Sequence, residues 1–202
     1  MVKMSIEKSK TRADLLPKAF MHFLEFGFYG TSMDDLVKTT GYSRSSIYYE
    51  YKSKKGLFEA SLLFFNDVFL KEPVGYLEEP DATLDNLQQY FDWLLDKLRT
   101  QTPPYKGCFI ANTMNESSPH DKDFRDIVNA FNDRLSSALC QILCNETKDR
   151  KIPRKKLKAM ARYLMTSIYG IWTFSRSVSD IKDLEDIITA FMSNIKVMVS
   201  EI

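Results

Sequence analysis

The stretch TSMDDLVKTTGYSRSSIYYEYKSKK, residues 31–55, is the part of this 202-residue chain that decides its fold. It contains two short helical patterns, a glycine between them and several lysines after the second pattern. A helix-turn-helix has this arrangement, and it places its second helix in the major groove of duplex DNA. The stretch therefore predicts a DNA-binding head at this end of the chain.

Local sequence features set the expected ends of these helices. Ser32 is followed three residues later by Asp35, and this pair forms a capping box that predicts a helix from the next residue onward. Gly41 suits the left-handed conformation in which helices commonly end. Ser43 is the expected N-cap of the second short helix, and Ser53 is the expected N-cap of the helix after it.

The second short helix, residues 44–50, is predicted to contact DNA. Ile47 is its one clear aliphatic anchor, which leaves the polar side chains free to point outward. Arginine can bond guanine and serine can contact base edges, whereas tyrosine hydroxyls usually hold phosphates. Lys54 suits a phosphate by its charge and by its place at a helix start. The expected DNA-contacting residues are Thr31, Ser32, Ser43, Arg44, Ser45, Ser46, Tyr48, Tyr49 and Lys54.

An edge strand is the alternative structure for residues 46–51, which are rich in β-forming side chains. No second run of matching pattern lies nearby, and an isolated hairpin is unstable on its own. The pattern therefore favours the helix.

These residues carry a resemblance to a known family. The chain resembles the N-terminal pattern of the TetR/AcrR family of transcriptional regulators, with matching spacing over residues 15–57. The resemblance implies an all-α homodimer of about nine helices, with a helix-turn-helix domain at residues 1–55 and a ligand-binding and dimerisation domain at residues 56–202. The matching positions are Leu15, Leu16, Ala19, Phe23, Gly27, Phe28, Thr31, Ser32, Gly41, Tyr42, Ser43, Ile47, Tyr48, Tyr51, Ser53, Lys54 and Leu57.

Two side chains depart from the family pattern. Glu50 lies where a carboxylate would repel the DNA backbone, so we expect it to point away or to pair with Lys52 or Arg44. His22 replaces a leucine that is usual in the core. It is either a satisfied, partly buried histidine or a pH-sensitive element.

Pro17 also lies inside the usual first helix of the family. Proline is tolerated in a first helical turn, so we expect Asp14 to be the N-cap of a helix that begins at Leu15. A longer, kinked helix that starts earlier is the alternative.

The composition is typical of a globular protein, with 44% hydrophobic and 27% charged residues. The net charge is only +1, but residues 1–60 carry 10 Lys and Arg against 7 Asp and Glu. Four of these cations precede the predicted first helix and form either a DNA-contacting arm or a solvated tail. They are Lys3, Lys8, Lys10 and Arg12.

Neither an apolar run long enough for a membrane span nor an apolar signal segment is present, so a cytoplasmic protein without membrane contact is expected. The three cysteines form no CxxC pair and suggest free thiols in a reducing compartment. No metal or cofactor site is expected. Glycine-rich phosphate loops, HExxH and GxSxG motifs are missing, and a Cys108–His120 couple would lack an orienting third group, so catalysis is not expected.

The rest of the chain shows helical periodicity. We expect a long helix after Ser53 whose end is marked by Pro73, Gly75 and Pro80, and a next helix that starts at Asp81 or Thr83. Later helices are expected to stop at residues 103–104, to run over residues 106–116 and 124–142, and to open at Pro153.

Two regular apolar stripes mark the last two helices, at about residues 155–176 and 183–201. Such stripes either bury a core within one chain or join two copies in a four-helix bundle. The resemblance favours a homodimer through these helices, in which Ser167 and Gly170 would permit close approach.

Aromatic and sulfur-containing side chains in the middle of the chain suggest a small-molecule pocket, although plain core is the alternative for each of them. Trp93, Tyr169 and Trp172 are favoured because indole and phenol groups offer hydrogen bonds. The expected pocket residues are Tyr90, Trp93, Cys108, Phe109, Asn112, Phe131, Met165, Tyr169 and Trp172.

Cysteine chemistry leaves one further hypothesis open. Cys108 stands at a predicted helix start beside Lys106, where a thiol would have a lowered pKa and would sense an electrophile or an oxidant. A buried, inert cysteine is the alternative, and Cys140 and Cys144 are interpreted as small apolar residues.

Together these features predict a ligand-responsive transcriptional regulator. We expect a repressor that binds a palindromic DNA operator as a homodimer and is released by a small-molecule effector. The alternative is a helical small-molecule carrier or interaction module with a vestigial DNA-binding head, which Glu50 and the weak net charge support.

Overall fold

A computed structural model describes residues 2–100 and 107–202, with side chains described for residues 14–100 and 107–202. The described residues form α-helices and one π-helical segment and contain no strand, so the all-α prediction is confirmed and the edge-strand alternative is wrong. The helices are α1 (Val2–Phe26), α2 (Met33–Thr40), α3 (Arg44–Tyr51), α4 (Lys54–Phe64), α5 (Lys71–Leu77), α6 (Leu84–Thr100), α7 (Phe109–Glu116), α8 (Lys122–Glu146), α9 (Arg154–Phe174) and α10 (Ile181–Ser200). The π-helical segment, Phe65–Leu70, joins α4 to α5 without a break, which leaves nine separate helical rods in the described part of the chain.

Helix α1 is longer than expected. It begins at Val2, so the prediction of an N-cap at Asp14 is wrong and the earlier start is confirmed. Pro17 lies inside the helix, where it lacks the N–H that would bond the carbonyl four residues before it. Phe20 and Phe23 are fully buried, and such burial contributes about 1.5–3 kcal/mol per side chain. The buried face of α1 therefore stabilises the helix beyond what its own sequence supplies.

The long helix after Ser53 ends at Leu77, within the stretch where its end was expected. Pro73 and Gly75 lie inside α5 and do not end the helix, whereas Pro80 follows its last residue. The π-helical segment resets the hydrogen-bond ladder, and Pro73 then stands in the first turn of α5, where the missing N–H costs little. Thr83, one of the two expected starts of the next helix, is confirmed because its hydroxyl accepts the N–H of Asp85 at 3.3 Å.

The expected stop at residues 103–104 lies outside the described residues, as do Lys106 and the side chains of the basic residues before Leu15. Helix α7 begins at Phe109, and Pro153 is the N-cap residue of α9. Among the described helices, none combines the length and the hydropathy that a membrane crossing requires.

The chain divides into two compact units. The first consists of Met1–Phe69 and Asn112–Val128, and the second of Leu70–Ala111 and Asn129–Ile202. The predicted functional boundary at residue 55 stays a prediction.

An aromatic cluster forms the centre of the first unit. The ring of Phe58 on α4 lies 4.9 Å from that of Phe23, 5.1 Å from that of Phe28 and 4.8 Å from that of Phe124, measured between ring centroids. Phe28 and Phe124 also contact each other, with centroids 5.0 Å apart. The cluster therefore joins the end of α1, the turn after it, α4 and the start of α8.

The second unit is built on α6, α8, α9 and α10. The ring of Phe91 on α6 lies 5.9 Å from Trp172 on α9 and 5.6 Å from Phe191 on α10. At the start of α6, the N–H of Leu84 donates to the carboxylate of Glu146 at 2.8 Å. The predicted stripe of α9 is buried throughout, and that of α10 is buried in part.

Candidate nucleic-acid interface

The two short helices of the head end as their local sequence predicts. The hydroxyl of Ser32 accepts the N–H of Asp35 at 3.1 Å, and the carboxylate of Asp35 accepts the N–H of Ser32 at 2.9 Å. Hydrogen bonds from Ser32 hold the pKa of Asp35 below its usual value. Gly41 ends α2 with φ +78°, and nothing lies near the position of its missing Cβ. The capping box and the glycine turn are therefore confirmed.

Helix α3 presents a polar surface on a single buried anchor. Ser43 caps it by accepting the N–H of Ser46 at 3.1 Å, and Ile47 is 0% exposed. Lys52 follows the helix with φ +67°, a left-handed conformation that its sequence position does not predict because lysine has a Cβ. The exposed side chains of α3 and its cap are Ser43, Arg44, Ser45, Ser46, Tyr48, Tyr49 and Glu50.

Two of the expected DNA contacts need correction. Thr31 is 1% exposed and its hydroxyl donates to the carbonyl of Gly27 at 2.7 Å, so this side chain faces the protein. The Lys54 ammonium donates to the carbonyls of Phe28 and Thr31, both at 2.8 Å, and lies 4.2 Å from the centre of the Phe28 ring. Burial lowers the pKa of Lys54, and the nearby charge of Glu116 opposes that shift. Its ammonium therefore serves the fold of the head and is not a free phosphate ligand.

Arg44, the strongest candidate for a base contact, has an ion-pair partner in the structure. Its guanidinium donates to the carboxylate of Asp34 at 2.6 Å, with side-chain exposures of 51% for Arg44 and 85% for Asp34. Pairs as exposed as this contribute only about 0.2–1 kcal/mol. Arg44 can therefore exchange this carboxylate for a DNA acceptor at low cost.

The turn between α1 and α2 is held by a residue that sequence reasoning missed. Gly27 follows the last residue of α1 with φ +74°. The N–H groups of Phe28 and Tyr29 then donate to the carboxylate of Glu116, at 3.0 and 2.7 Å. Glu116 lies at the end of α7, 88 residues after Phe28, and no local pattern indicates this contact.

A second long-range contact lies at the start of α4. The Lys55 ammonium is 2.9 Å from a carboxylate oxygen of Asp121 and 2.5 Å from one of Asp123. These hydrogen bonds raise the pKa of Lys55 above its usual value. The start of α8 and the residue before it thus bind the first turn of α4.

The predicted pocket residues of the second unit are partly brought together. The indole N–H of Trp172 donates to the hydroxyl of Tyr90 at 3.1 Å, and the hydroxyl of Tyr169 donates to the side-chain oxygen of Asn132 at 2.6 Å. Trp93 is half-buried, with the Lys97 ammonium 4.9 Å from the centre of its ring. Phe109 and Phe131 are buried, and Asn112 belongs to the first unit.

The surroundings of Cys108 oppose the reactive-thiol hypothesis. Its side chain is buried, and burial raises the pKa of the thiol to about 11. A helix start alone therefore does not activate this cysteine.

A groove of about 490 Å³ runs between α8 and α9 in the second unit. Of the predicted pocket residues, Met165 lines this groove. The α8 side carries small polar side chains, and the α9 side carries three cations. The groove-lining residues include Ser136, Ser137, Cys140, Cys144, Arg154, Lys158, Arg162 and Met165.

Two remaining hypotheses concern histidine and metal binding. The Nδ1 atom of His22 lies 3.2 Å from the hydroxyl of Thr39, so this half-buried ring joins α1 to α2. Within residues 14–100 and 107–202, no cluster of three or more histidine, cysteine or acidic side chains has the arrangement of a metal site.

Comparison with known proteins identifies the head. The family model described as "Bacterial regulatory proteins, tetR family" matches residues 15–61, which cover the end of α1, α2, α3 and most of α4. This head is that of a TetR-family regulator. It is a DNA-binding transcriptional regulator, and the family and its named relatives are regulators and not enzymes.

The relatives extend beyond the head. The HTH-type transcriptional repressor ComR of Escherichia coli is 27% identical over 174 residues, which cover 85% of this chain and 82% of ComR. The uncharacterised HTH-type regulator YezE of Bacillus subtilis is 25% identical over 192 residues, or 94% of this chain and 98% of YezE.

Solved structures of the family show the same fold. The TetR-family regulator SCO4454 of Streptomyces coelicolor superposes with a TM-score of 0.75 at 17% identity and covers 96% of both chains. A TetR-family regulator of Agrobacterium tumefaciens gives a TM-score of 0.76 at 19% identity, covering 92% of this chain and 97% of that one. These likenesses confirm the expected helical architecture.

Proposed function

We propose that this regulator is a repressor that binds a palindromic operator as a homodimer and is released by a small-molecule effector. The observation that carries the proposal is the row of exposed polar side chains on α3 above the buried Ile47. One such helix makes few base contacts, whereas two helices about 34–36 Å apart contact successive major grooves. The named repressor ComR supports repression over activation. Because bacterial operators lie in the cytoplasm, we place the function there.

Dimerisation through α9 and α10 is supported by their exposed faces. Tyr163 and Phe174 on α9 are 57% and 49% exposed, and Val197 on α10 is 55% exposed. Tyr163, Gly170 and Phe174 share one helix face by their spacing, and an added Cβ at Gly170 meets nothing within 4 Å. A second copy would cover this apolar face. Phe174→Glu is expected to shift the protein to a monomer in sedimentation experiments; an unchanged dimer would contradict this interface.

The effector site is proposed among the buried aromatic side chains of the second unit. Tyr90, Tyr169 and Trp172 combine apolar rings with hydrogen-bonding groups, which is the composition of a small-molecule site. A thermal-shift screen would identify a ligand by the rise in Tm that binding produces. With that ligand, Trp93→Ala and Trp172→Phe are expected to weaken operator release while operator binding survives. Full release by both variants would place the site elsewhere.

Operator binding is tested by gel-shift titration with DNA fragments from around the gene itself. We expect one fragment to bind specifically, and its affinity to fall roughly 10³- to 10⁵-fold between 50 and 200 mM salt if about 6–10 phosphates are neutralised. Arg44→Ala and Tyr48→Ala should each weaken binding, because these exposed side chains belong to α3. Lys155→Ala removes an exposed cation at the start of α9 and is the matched control.

The carrier alternative makes the opposite prediction. If the head is vestigial, Arg44→Ala and Tyr48→Ala leave the weak DNA binding unchanged and no fragment is preferred at any salt concentration. The exposed Glu50 is the observation that favours this alternative.

A further inference from the structure

The turn between α1 and α2 is held by two oppositely charged side chains, Glu116 and Lys54. Each oxygen of the Glu116 carboxylate accepts one backbone N–H, from Phe28 at 3.0 Å and from Tyr29 at 2.7 Å. The Lys54 ammonium donates hydrogen bonds to the carbonyls of Phe28 and Thr31, both at 2.8 Å. An anion thus binds the donors of the turn and a cation binds its acceptors. Hydrogen bonds of this charged kind are roughly twice as strong as neutral ones.

The backbone of the turn is shaped to admit the carboxylate. Gly27 has φ +74°, and a Cβ built on it would lie 2.4 Å from one oxygen of Glu116 and 2.6 Å from the other. A side chain at this position would therefore displace the carboxylate. The close approach of Glu116 depends on a glycine that also ends α1.

The turn determines where α2 begins. Thr31 is buried at its end, and Ser32, the next residue, is the N-cap of α2. Helix α3 follows α2 after only three residues, so the direction in which α2 leaves the turn also sets the direction of α3.

We propose that Glu116 is a positioning residue for DNA binding, whose carboxylate holds the residue 27–31 turn so that α2 and α3 present their exposed faces to the operator. The inference rests on the proposed function, because operator binding is its main readout. Glu116 contacts backbone N–H groups of the turn, and its assigned role is exerted through that turn.

The test uses the full chain with Glu116→Gln, because the sign of the effect separates two explanations. Removing a negative charge from a DNA-binding protein favours DNA binding by electrostatics alone. Loss of the two hydrogen bonds from the turn to the Glu116 carboxylate, which we call the clamp, acts in the opposite direction. Glutamine keeps one acceptor oxygen and turns an NH₂ group toward the second N–H. We expect operator affinity to fall roughly tenfold, which corresponds to about 1.4 kcal/mol. Hydrogen exchange of the Phe28 and Tyr29 amides should accelerate.

Asp126→Asn is the matched control in the same unit. It removes one negative charge from an exposed ion pair with Lys122 within α8 and touches no backbone group of the turn. We expect it to bind the operator as well as, or better than, the unchanged protein, with normal exchange at Phe28 and Tyr29. Glu116→Asp keeps the charge but is one methylene too short to reach both N–H groups, so its affinity should also fall.

Each possible result either supports the proposal or overturns it. The proposal is overturned if Glu116→Gln binds the operator as tightly as the unchanged protein does, or more tightly. Should both Glu116 variants fail to fold, amide exchange in the unchanged protein decides: protected Phe28 and Tyr29 amides support the clamp, and unprotected ones overturn it. If the unchanged protein binds no DNA fragment specifically, the proposed function fails. The hydrogen-exchange measurement would still show whether the Glu116 carboxylate holds the turn.

Discussion

Two adjoining parts of the DNA-binding head are stabilised in different ways. The ends of α2, α3 and α4 are fixed by the side chains of Ser32, Ser43 and Ser53, each bonded to a backbone N–H three residues ahead. The turn before α2 is held instead by Glu116, 88 residues away from Phe28, and by Lys54, 26 residues away. The first kind of contact is visible in a short stretch of sequence, and the second exists only once the fold has formed.

The two kinds of contact contribute differently to the structure of the head. Short-range caps decide whether a helix starts at a given residue, and each contributes about 0.5–2 kcal/mol. Long-range contacts decide where the finished helix lies. DNA recognition needs both, because a well-formed α3 in the wrong orientation would miss the major groove.

Removing a fully buried long-range contact should have the largest effect. Phe124→Ala deletes a ring that is 0% exposed and packs against Phe28 and Phe58, so we expect a loss of about 3–5 kcal/mol in the free energy of unfolding. Urea denaturation measures this loss. Phe26→Ala is the matched control, because that ring is 51% exposed and its removal should cost less than about 1 kcal/mol. Equal losses in the two variants would contradict the long-range role of Phe124.

Alanine substitutions at two glycines allow a direct comparison of the short-range and the long-range contacts. Gly41→Ala places a Cβ in open space, so only the left-handed conformation opposes it, at about 1–2 kcal/mol. Gly27→Ala has the same backbone problem, and its Cβ also displaces the Glu116 carboxylate, whose two hydrogen bonds to the turn are then lost at a cost of about 1–3 kcal/mol.

Thermal and urea unfolding of both variants measure the difference. Adding Glu116→Ala to Gly27→Ala should remove the collision, so the two changes together should cost less than the sum of their separate effects. Strict additivity would show that the carboxylate does not press on this turn.

At Cys108, burial has a larger effect on the pKa of the thiol than the position at a helix start. The pKa of this thiol is raised to about 11 from an ordinary 9.0, so its thiolate fraction near neutral pH falls about a hundredfold. That ratio is equivalent to about 2.7 kcal/mol. Iodoacetamide at pH 7 followed by peptide mass spectrometry should label the half-buried Cys140 and Cys144 well before Cys108. Preferential labelling of Cys108 would restore the sensor hypothesis.

The features that the sequence predicted correctly are those set by short-range contacts. The capping box at Ser32, the turn at Gly41 and the anchor Ile47 came from residues within a few positions of one another, and all are confirmed. The early start of α1 was only the alternative, because the tolerance of proline in a first turn favoured a start at Leu15, close to Pro17.

The interface shows the same limit. The outward side chains of α3 follow from helical periodicity, and they are exposed as expected. The inward positions of Thr31 and Lys54 depend on where the α1–α2 turn lies, which the motif does not encode. Glu116 carries no motif at all, since a glutamate at a helix end is ordinarily solvated.

The smallest expected effect concerns the ion pair on the head. Arg44 is 2.6 Å from Asp34, a residue whose side chain is 85% exposed, so the pair is held only weakly in water. DNA binding must break this pair if Arg44 is to contact a base, and the Asp34 carboxylate also repels the nearby phosphates. Asp34→Asn removes both obstacles and leaves the capping box of Ser32 and Asp35 intact. We therefore expect operator affinity to rise about two- to fivefold, within the energy of an exposed pair.

Gel-shift titration at two salt concentrations measures this rise and its dependence on Arg44. In an Arg44→Ala background the gain from Asp34→Asn should shrink, because only the repulsion of phosphates is then relieved. A gain of equal size in both backgrounds would mean that Asp34 acts on DNA by charge alone and that its contact with Arg44 does not compete with binding. A loss of affinity would show that Asp34 holds Arg44 in the position it needs on the operator, and the pair would then belong with the long-range contacts that orient the head.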